Sequence, residues 1–378
     1  MTSKISLNYI ALLFIIPFSG FYITKLSLSP VYVFTLFGIF LSIIQIFKSC
    51  KIRLSKVTFL AFVLLIYFSL FQQFFSTPNI SAYINFNFSI VVFIFSYLVL
   101  NQNHTNKIIK VSEKLIFFSL PLLIFEAYYR LSNPVFLVDF AEKGREDLFF
   151  YYFKINSIMY QDSNFVGLFI LSLFFFLLYI KQFTFKKYYL SFAMLTILLL
   201  TTISRASILT LFLFVILYFN RKIIYKYRIF IFIFLIILAF TLFPILLEYR
   251  TIDDSFSTKF GIFDKTIEYI SNASVINLLF GVGFGNAVEV LNVGAHNFFV
   301  TYIVESGFIG LVLIVILWTY ILLKTKFKAG IVMLPFLFNG MSLASGAIPY
   351  LYAIFAVILI LEKRRNEMIV KMARKLVL

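Results

Sequence analysis

The chain has 378 residues, of which 62% are hydrophobic and 13% charged, with a mean hydropathy of +0.99 and a formal net charge of +17. Soluble domains carry roughly 25% charged and 45–50% apolar residues, so this composition argues against a soluble fold and for a polytopic membrane protein. The basic residues are spread over several short segments rather than gathered on one groove, which argues against nucleic acid as a partner, and the single cysteine, Cys50, leaves no disulfide framework and no thiolate metal site.

Taken in chain order, apolar runs long enough to cross about 30 Å of hydrocarbon recur from end to end. Spans are expected near 8–24, 30–47, 57–75, 82–100, 115–131, 163–180, 188–203, 206–220, 229–247, 297–323, 329–343 and 346–361. This describes one all-α transmembrane domain over residues 1–378, with the first run read as an uncleaved helix rather than a signal peptide. Charge placement tests the map independently. With the N-terminus inside, the inner segments collect Lys48, Lys51, Arg53 and Lys56, then Lys107, Lys110 and Lys114, then Lys181, Lys186 and Lys187, and so on to Lys363, Arg364 and Arg365, most of the 33 basic residues. That alternation follows the positive-inside rule and sets both termini on the cytoplasmic side. The tail after Glu362 reads as a stop-transfer segment or as a basic amphipathic segment on anionic lipid.

Polar residues collect on the outer side. The first outer loop, 132–162, carries D-F-A-E-K-G-R-E-D and runs into Q-D-S-N, with Asp162 and Asn164 at the mouth of the sixth span. Between the seventh and eighth spans lies the tight hairpin T-T-I-S-R-A-S, where Arg205 sits between apolar runs. A guanidinium at that depth costs a few kcal/mol unless it pairs or reaches water. Arg205 therefore snorkels, pairs with Glu126 or Glu248, or forms part of an anion site.

The second outer loop, 248–296, is the larger. It opens E-Y-R-T-I-D-D, with Arg250, and continues through a stretch whose apolar residues Phe260, Phe263, Ile267 and Ile270 follow helical spacing, so Ser257 to Ile270 should be an amphipathic helix against the bundle, with Lys259 near its start. The loop closes with G-V-G-F-G at 281–285 and G-A-H-N at 294–297. Neither the spacing nor the context is that of a dinucleotide fingerprint. The glycines instead suit a backbone at positive φ that folds back toward the membrane, either as a plain re-entrant turn or to present amides or His296 to a ligand. His296 and Asn297 open an apolar helix on which His296, Val300, Ile303 and Gly307 share one face, and Gly310 allows close helix approach. The amino end of that helix suits an anion such as phosphate. His104, the other histidine, reads as a solvated loop residue.

The outer face thus offers a general base, several cations and a helix amino terminus. Asp253 and Asp254 are adjacent rather than suitably spaced, so no metal is implied. Such a set suits a substrate that is already a phosphate ester. Arg205, Arg250 or Lys259 would bind the anion and stabilise charge on a pyrophosphate leaving group, and His296 would take a proton from an attacking hydroxyl.

G-V-G-F-G followed by A-H-N-F-F-V-T-Y-I-V-E-S-G-F-I-G, with the S-R-A-S hairpin and the Q-D-S-N opening of the sixth span, resembles the O-antigen polymerase and ligase superfamily of bacterial inner membranes. The likeness covers chiefly residues 161–310. It implies a GT-C-like architecture and a metal-independent, inverting membrane glycosyltransferase without a cofactor, with its active site facing the periplasm. Its donor would be an undecaprenyl-pyrophosphate-linked oligosaccharide, and its partners the chain-length regulator and flippase of the same pathway. Carried over, His296 matches the family's base and Arg205 its membrane-edge arginine, with Asn297, Gly281, Gly283, Asp162 and Asn164 in support. The family's loop arginine has no unambiguous match: Lys259 stands where it is expected, with Arg250 upstream, and lysine lacks the bidentate fork of arginine. Polymerase is favoured over ligase, which would transfer the glycan to lipid A core. A lipid-linked oligosaccharide flippase is the alternative from another class, but it should show two related halves, which are not seen here.

Overall fold

Polar residues that break apolar runs set where the helices begin. Ser55 and Thr58 form a capping box at the start of α2 (Lys56–Ile66). The Asn79 side chain accepts from the amides of Ser81 and Ala82 at the start of α3 (Ile80–Asn101). Each satisfies backbone donors that the first helical turn leaves without an internal partner. This computed structural model describes residues 13, 15–22, 29–49, 55–135, 152–221, 226, 254–295, 297–343 and 348–377, with only the backbone at 41–49, 254–260, 371 and 373–377. The fold is all-helical, 78% helix, with no strand among the described residues.

Ahead of α2 comes α1 (Pro30–Ser49), and α2 itself runs on through a π turn (Tyr67–Phe71) and a 3-10 turn (Gln72–Phe74). After α3 follow α4 (Thr105–Ser132), α5 (Ser163–Ile180), α6 (Tyr189–Thr201) and α7 (Arg205–Phe219). The second half contains α8 (Asp254–Asn272), the short α9 (Val275–Phe280) and α10 (Ala287–Leu291), then α11 (Phe298–Lys324), α12 (Gly330–Gly340) and α13 (Pro349–Val377). By length and composition four stretches among the described residues suffice to cross a membrane: Lys56–Phe74, Ile80–Asn101, Ser163–Phe183 and Phe298–Lys324. Helices α6, α7 and α12 are apolar but shorter.

The core is built around α5, which is apolar on all sides and buried along almost its whole length, as a central helix must be. It packs on α4, α6, α7 and α12, while α3 lies along the buried first half of α13. Gly167 brings α5 against Ser204 and Ser207, and Gly38 brings α1 against the ring of Phe95.

Three expectations change. Helix α4 starts at Thr105, so Lys107, Lys110 and Lys114 are helical rather than in a loop, and α13 runs through Glu-Lys-Arg-Arg to Val377 instead of stopping near 361. The helix opened by Asn297 is not continuous: Gly307 has φ 66° and ψ −177°, so the single face expected from Val300 to Gly307 is interrupted. The runs at 8–24 and 229–247 lie largely or wholly outside the described residues.

Candidate functional site

The loop at 281–285 owes its shape to the break in α11. Gly281 ends α9 at φ 77°, and a Cβ there would overlap the backbone of Glu305 and Gly307; a Cβ on Gly307 would overlap Leu279 and Gly281 in return. Two chains approach so closely here that neither position tolerates a side chain. The gain is hydrogen bonding. Val304 and Glu305 carbonyls, just ahead of the break, accept from the amides of Val282 at 2.9 Å and Gly283 at 3.0 Å. Gln72, fully buried below the π turn of α2, donates its amide to the carbonyls of Phe280 at 3.0 Å and Glu305 at 2.7 Å. Leaving such acceptors unmet would cost about 1–3 kcal/mol each. Irregular backbone among apolar helices is tolerated because protein groups surround and satisfy it. On the far side, Gly283 (φ 98°) backs onto Thr77 and Pro78, Asn79 donates its amide to the carbonyl of Phe284 at 2.7 Å, and Asn286 reaches the carbonyl of Thr77 at 2.6 Å. The loop is therefore wedged between α11 and the α2–α3 turn. Its positive φ values are as expected, and the amides of Val282 and Gly283 are used within the fold.

Glu305 is the site residue that the sequence reading passed over. It is 9% exposed, and its carboxylate is turned toward the backbone amides of Gly285 and Ala287. A signal for it exists in the sequence: an acidic side chain inside an apolar helix is a functional candidate by default. Tyr302, one turn earlier, is buried with its hydroxyl near Tyr352, and its ring lies between Phe86 and Phe298.

A second cluster gathers several residues named from sequence. Asp162 caps α5, accepting from the Asn164 amide at 2.8 Å, and the Asn164 side chain accepts from Lys154, an ammonium that is 6% exposed. Ser163 donates its hydroxyl to the carbonyl of Thr202 at 2.9 Å, which ties the Q-D-S-N turn to the S-R-A-S hairpin. Ser207 of that hairpin accepts from Asn339 of α12 at 2.9 Å. Two residues further on, the carbonyl of Met341 accepts from Asn297 at 3.1 Å. Asn297 also caps α11 through the amides of Phe299 and Val300. One chain of contacts thus joins Asp162, Asn164, the Arg205 hairpin and Asn297. Arg205 is exposed as the first residue of α7. The glycine loop braces α11 about two turns, roughly 11 Å, below Asn297.

Of the alternatives for Arg205, pairing with Glu126 does not occur, and Glu248 lies outside the described residues. Glu126 belongs to Arg130, one turn away on α4 at 2.9 Å, with both side chains buried. Arg130 also donates to the carbonyls of Phe153 at 2.7 Å and Thr201 at 2.9 Å, and Ser157 donates to the same Glu126 oxygen as Arg130 at 2.8 Å. This arginine pins the loop 152–159 and the end of α6 to α4. Beside it Tyr160, at φ 59°, packs its ring on Gly20 and shares a 2.6 Å hydrogen bond with Ser19. Burial, with Tyr350 adding to it, pushes the Tyr160 hydroxyl well above the usual tyrosine range.

The amphipathic helix forms as expected, as α8, but turned by one residue. Ile262, Thr266 and Tyr269 are buried, whereas Phe263 and Ile267 of the expected stripe are 45% and 67% exposed. The reason is tertiary: α8 docks on α10 and α11, forming a small core with Ala287, Leu291, Val300 and Val304. Lys259 lies in the second turn of α8, where only the backbone is described. His296 and Arg250 lie outside the described residues. Among the described residues no three His, Cys, Asp or Glu side chains gather as metal ligands would. No family model, curated protein or solved structure matches the chain.

Proposed function

We propose that the chain is a multi-pass protein of the bacterial inner membrane that polymerises lipid-linked oligosaccharide repeat units at the periplasmic face. In this reading it has about twelve spans in a GT-C-like arrangement, both termini cytoplasmic. The growing glycan leaves undecaprenyl pyrophosphate and is joined to the acceptor sugar of a new repeat unit. His296 removes the proton of the attacking hydroxyl, the new glycosidic bond forms with inversion, and the bond to pyrophosphate breaks. Arg205, with Arg250 or Lys259, balances the charge that develops on the leaving pyrophosphate.

The observation that carries this reading is the chain of contacts from Ser163 through Thr202, Ser207 and Asn339 to Met341 and Asn297. It joins three segments, far apart in sequence, that together carry the family resemblance. The four long apolar helices support the membrane setting.

The test is a gel of surface polysaccharide, with lipid-linked glycan analysed in parallel, from a host lacking the gene and rescued by wild type or His296→Ala. Single repeat units at the surface, unrepaired by His296→Ala made at normal level, are expected. Long chains stranded on the lipid carrier would mean a ligase instead, and repeat units trapped inside a flippase. Full rescue by His296→Ala would overturn the mechanism.

A further inference from the structure

At the end of the bundle opposite the glycine loop, helices α2, α3, α11 and α13 diverge around a cleft of about 660 Å³. Lys56 from the first turn of α2, Lys324 from the last turn of α11 and Lys363 from the middle of α13 contribute to its lining, three cations from three segments far apart in sequence. Deeper in, the cleft is apolar, with the buried Val57 and Leu359 and the rings of Tyr97 and Tyr320. The lysine heads are held loosely. Lys363 donates to the Asn101 side chain at 3.0 Å, and Lys324 stands 5.5 Å from the centre of the Tyr320 ring. The one carboxylate in the lining, Glu367, has Arg364 as a partner at 4.0 Å, so the cleft keeps an excess of positive charge.

We infer that this cleft binds the phosphate-bearing headgroup of an anionic phospholipid, with an acyl chain laid along its apolar wall. The pairing of charge and apolarity decides the class of ligand. Three exposed ammonium groups attract a phosphate at the level where headgroups lie. A free phosphate would use the lysines and leave the apolar wall wet; a neutral lipid would use the wall and leave three like charges facing one another. An anionic phospholipid satisfies both. The cleft also gathers the ends of α2, α3 and α11, so its occupant would hold together the three helices whose other ends carry Gln72, Asn79 and Glu305. The inference goes beyond glycosyl transfer and rests only on the membrane setting, which extraction of cell membranes with alkaline carbonate tests separately.

The experiment is native mass spectrometry of the full-length protein, delipidated in detergent and titrated with phosphatidylglycerol or phosphatidylcholine. The variants are the triple Lys56→Gln, Lys324→Gln, Lys363→Gln, and a control triple, Lys181→Gln, Lys187→Gln, Lys328→Gln, which removes the same charge from the same end outside the cleft. Phosphatidylglycerol should bind at least fivefold more tightly than phosphatidylcholine, the cleft triple should lose that preference, and the control triple should keep it. Should the cleft triple not fold, Lys324→Gln alone and Val370→Trp, which narrows the exposed rim, should each weaken phosphatidylglycerol binding. Equal losses in both triples, or no preference in the wild type, would overturn the proposal. Displacement of the lipid by millimolar inorganic phosphate would overturn the lipid as the source and assign the cleft to free phosphate.

Discussion

Two buried carboxylates, Glu126 and Glu305, are held in opposite ways. Glu126 meets a guanidinium and a hydroxyl, and two further donors of the guanidinium end on two carbonyls, so the charge is balanced within the cluster. Glu305, among the described residues, has no ion-pair partner and is turned toward the backbone amides of Gly285 and Ala287. The first arrangement is a strut: it joins α4, the 152–159 loop and the end of α6. The second carries its carboxylate on a broken helix, beside a loop of unusual backbone. Broken helices inside apolar bundles concentrate polar groups where a substrate or ion is handled. The comparison therefore directs attention to Glu305 rather than to the arginine pair.

The largest expected effect falls on the strut. Arg130→Ala leaves Glu126 buried and uncompensated and should cost about 3–5 kcal/mol; replacing both partners, Glu126→Gln with Arg130→Met, should recover much of that loss. Denaturant titration of the protein in detergent measures both, and equal losses in the single and double variants would show that the charge balance is not what matters. Gly307→Ala and Gly281→Ala come next, about 2–4 kcal/mol each, because each adds a Cβ onto backbone at positive φ. Their combination should cost less than the sum, since the first substitution already forces the two chains apart.

Glu305→Gln should cost about 1 kcal/mol, because the amide keeps one acceptor but turns a donor toward two N–H groups. A polysaccharide gel on the same variant sharpens the contrast: loss of long chains at near-normal stability would mark Glu305 as more than a second strut. Gly261→Ala, in α8 with open space around its Cβ, should gain roughly 0.5–1 kcal/mol, which separates the cost of overlap from the cost of replacing any glycine. Arg205→Ala, at an exposed side chain, should cost less stability than the strut and glycine substitutions while abolishing long chains.

The positions of α2, α3, α5 and α11 were legible because apolar length is a local signal; the caps that start them, at Ser55, Asn79, Asp162 and Asn297, came from the structure. The glycine turn was legible as positive φ, and its partners were not. Nothing local in G-V-G-F-G says that Val282 and Gly283 will donate to Val304 and Glu305, or that Gln72, more than two hundred residues earlier, will donate to the same carbonyl of Glu305. The stripe of α8 was read one residue off for a related reason: Phe263 and Ile262 are both apolar, and the face that turns inward depends on what α10 and α11 present.

By itself the sequence determined an all-helical chain with long apolar helices and where several of them lie, though not the start of α4 or the end of α13, because hydropathy acts over a few residues. The tertiary structure alone decided that Arg130 rather than Arg205 takes Glu126, that α11 breaks at Gly307, and that Asp162, the Arg205 hairpin and Asn297 share one network. Those outcomes depend on which buried donors and acceptors meet once distant segments pack, and the need to satisfy each of them is a constraint on the whole bundle rather than on any one stretch of chain.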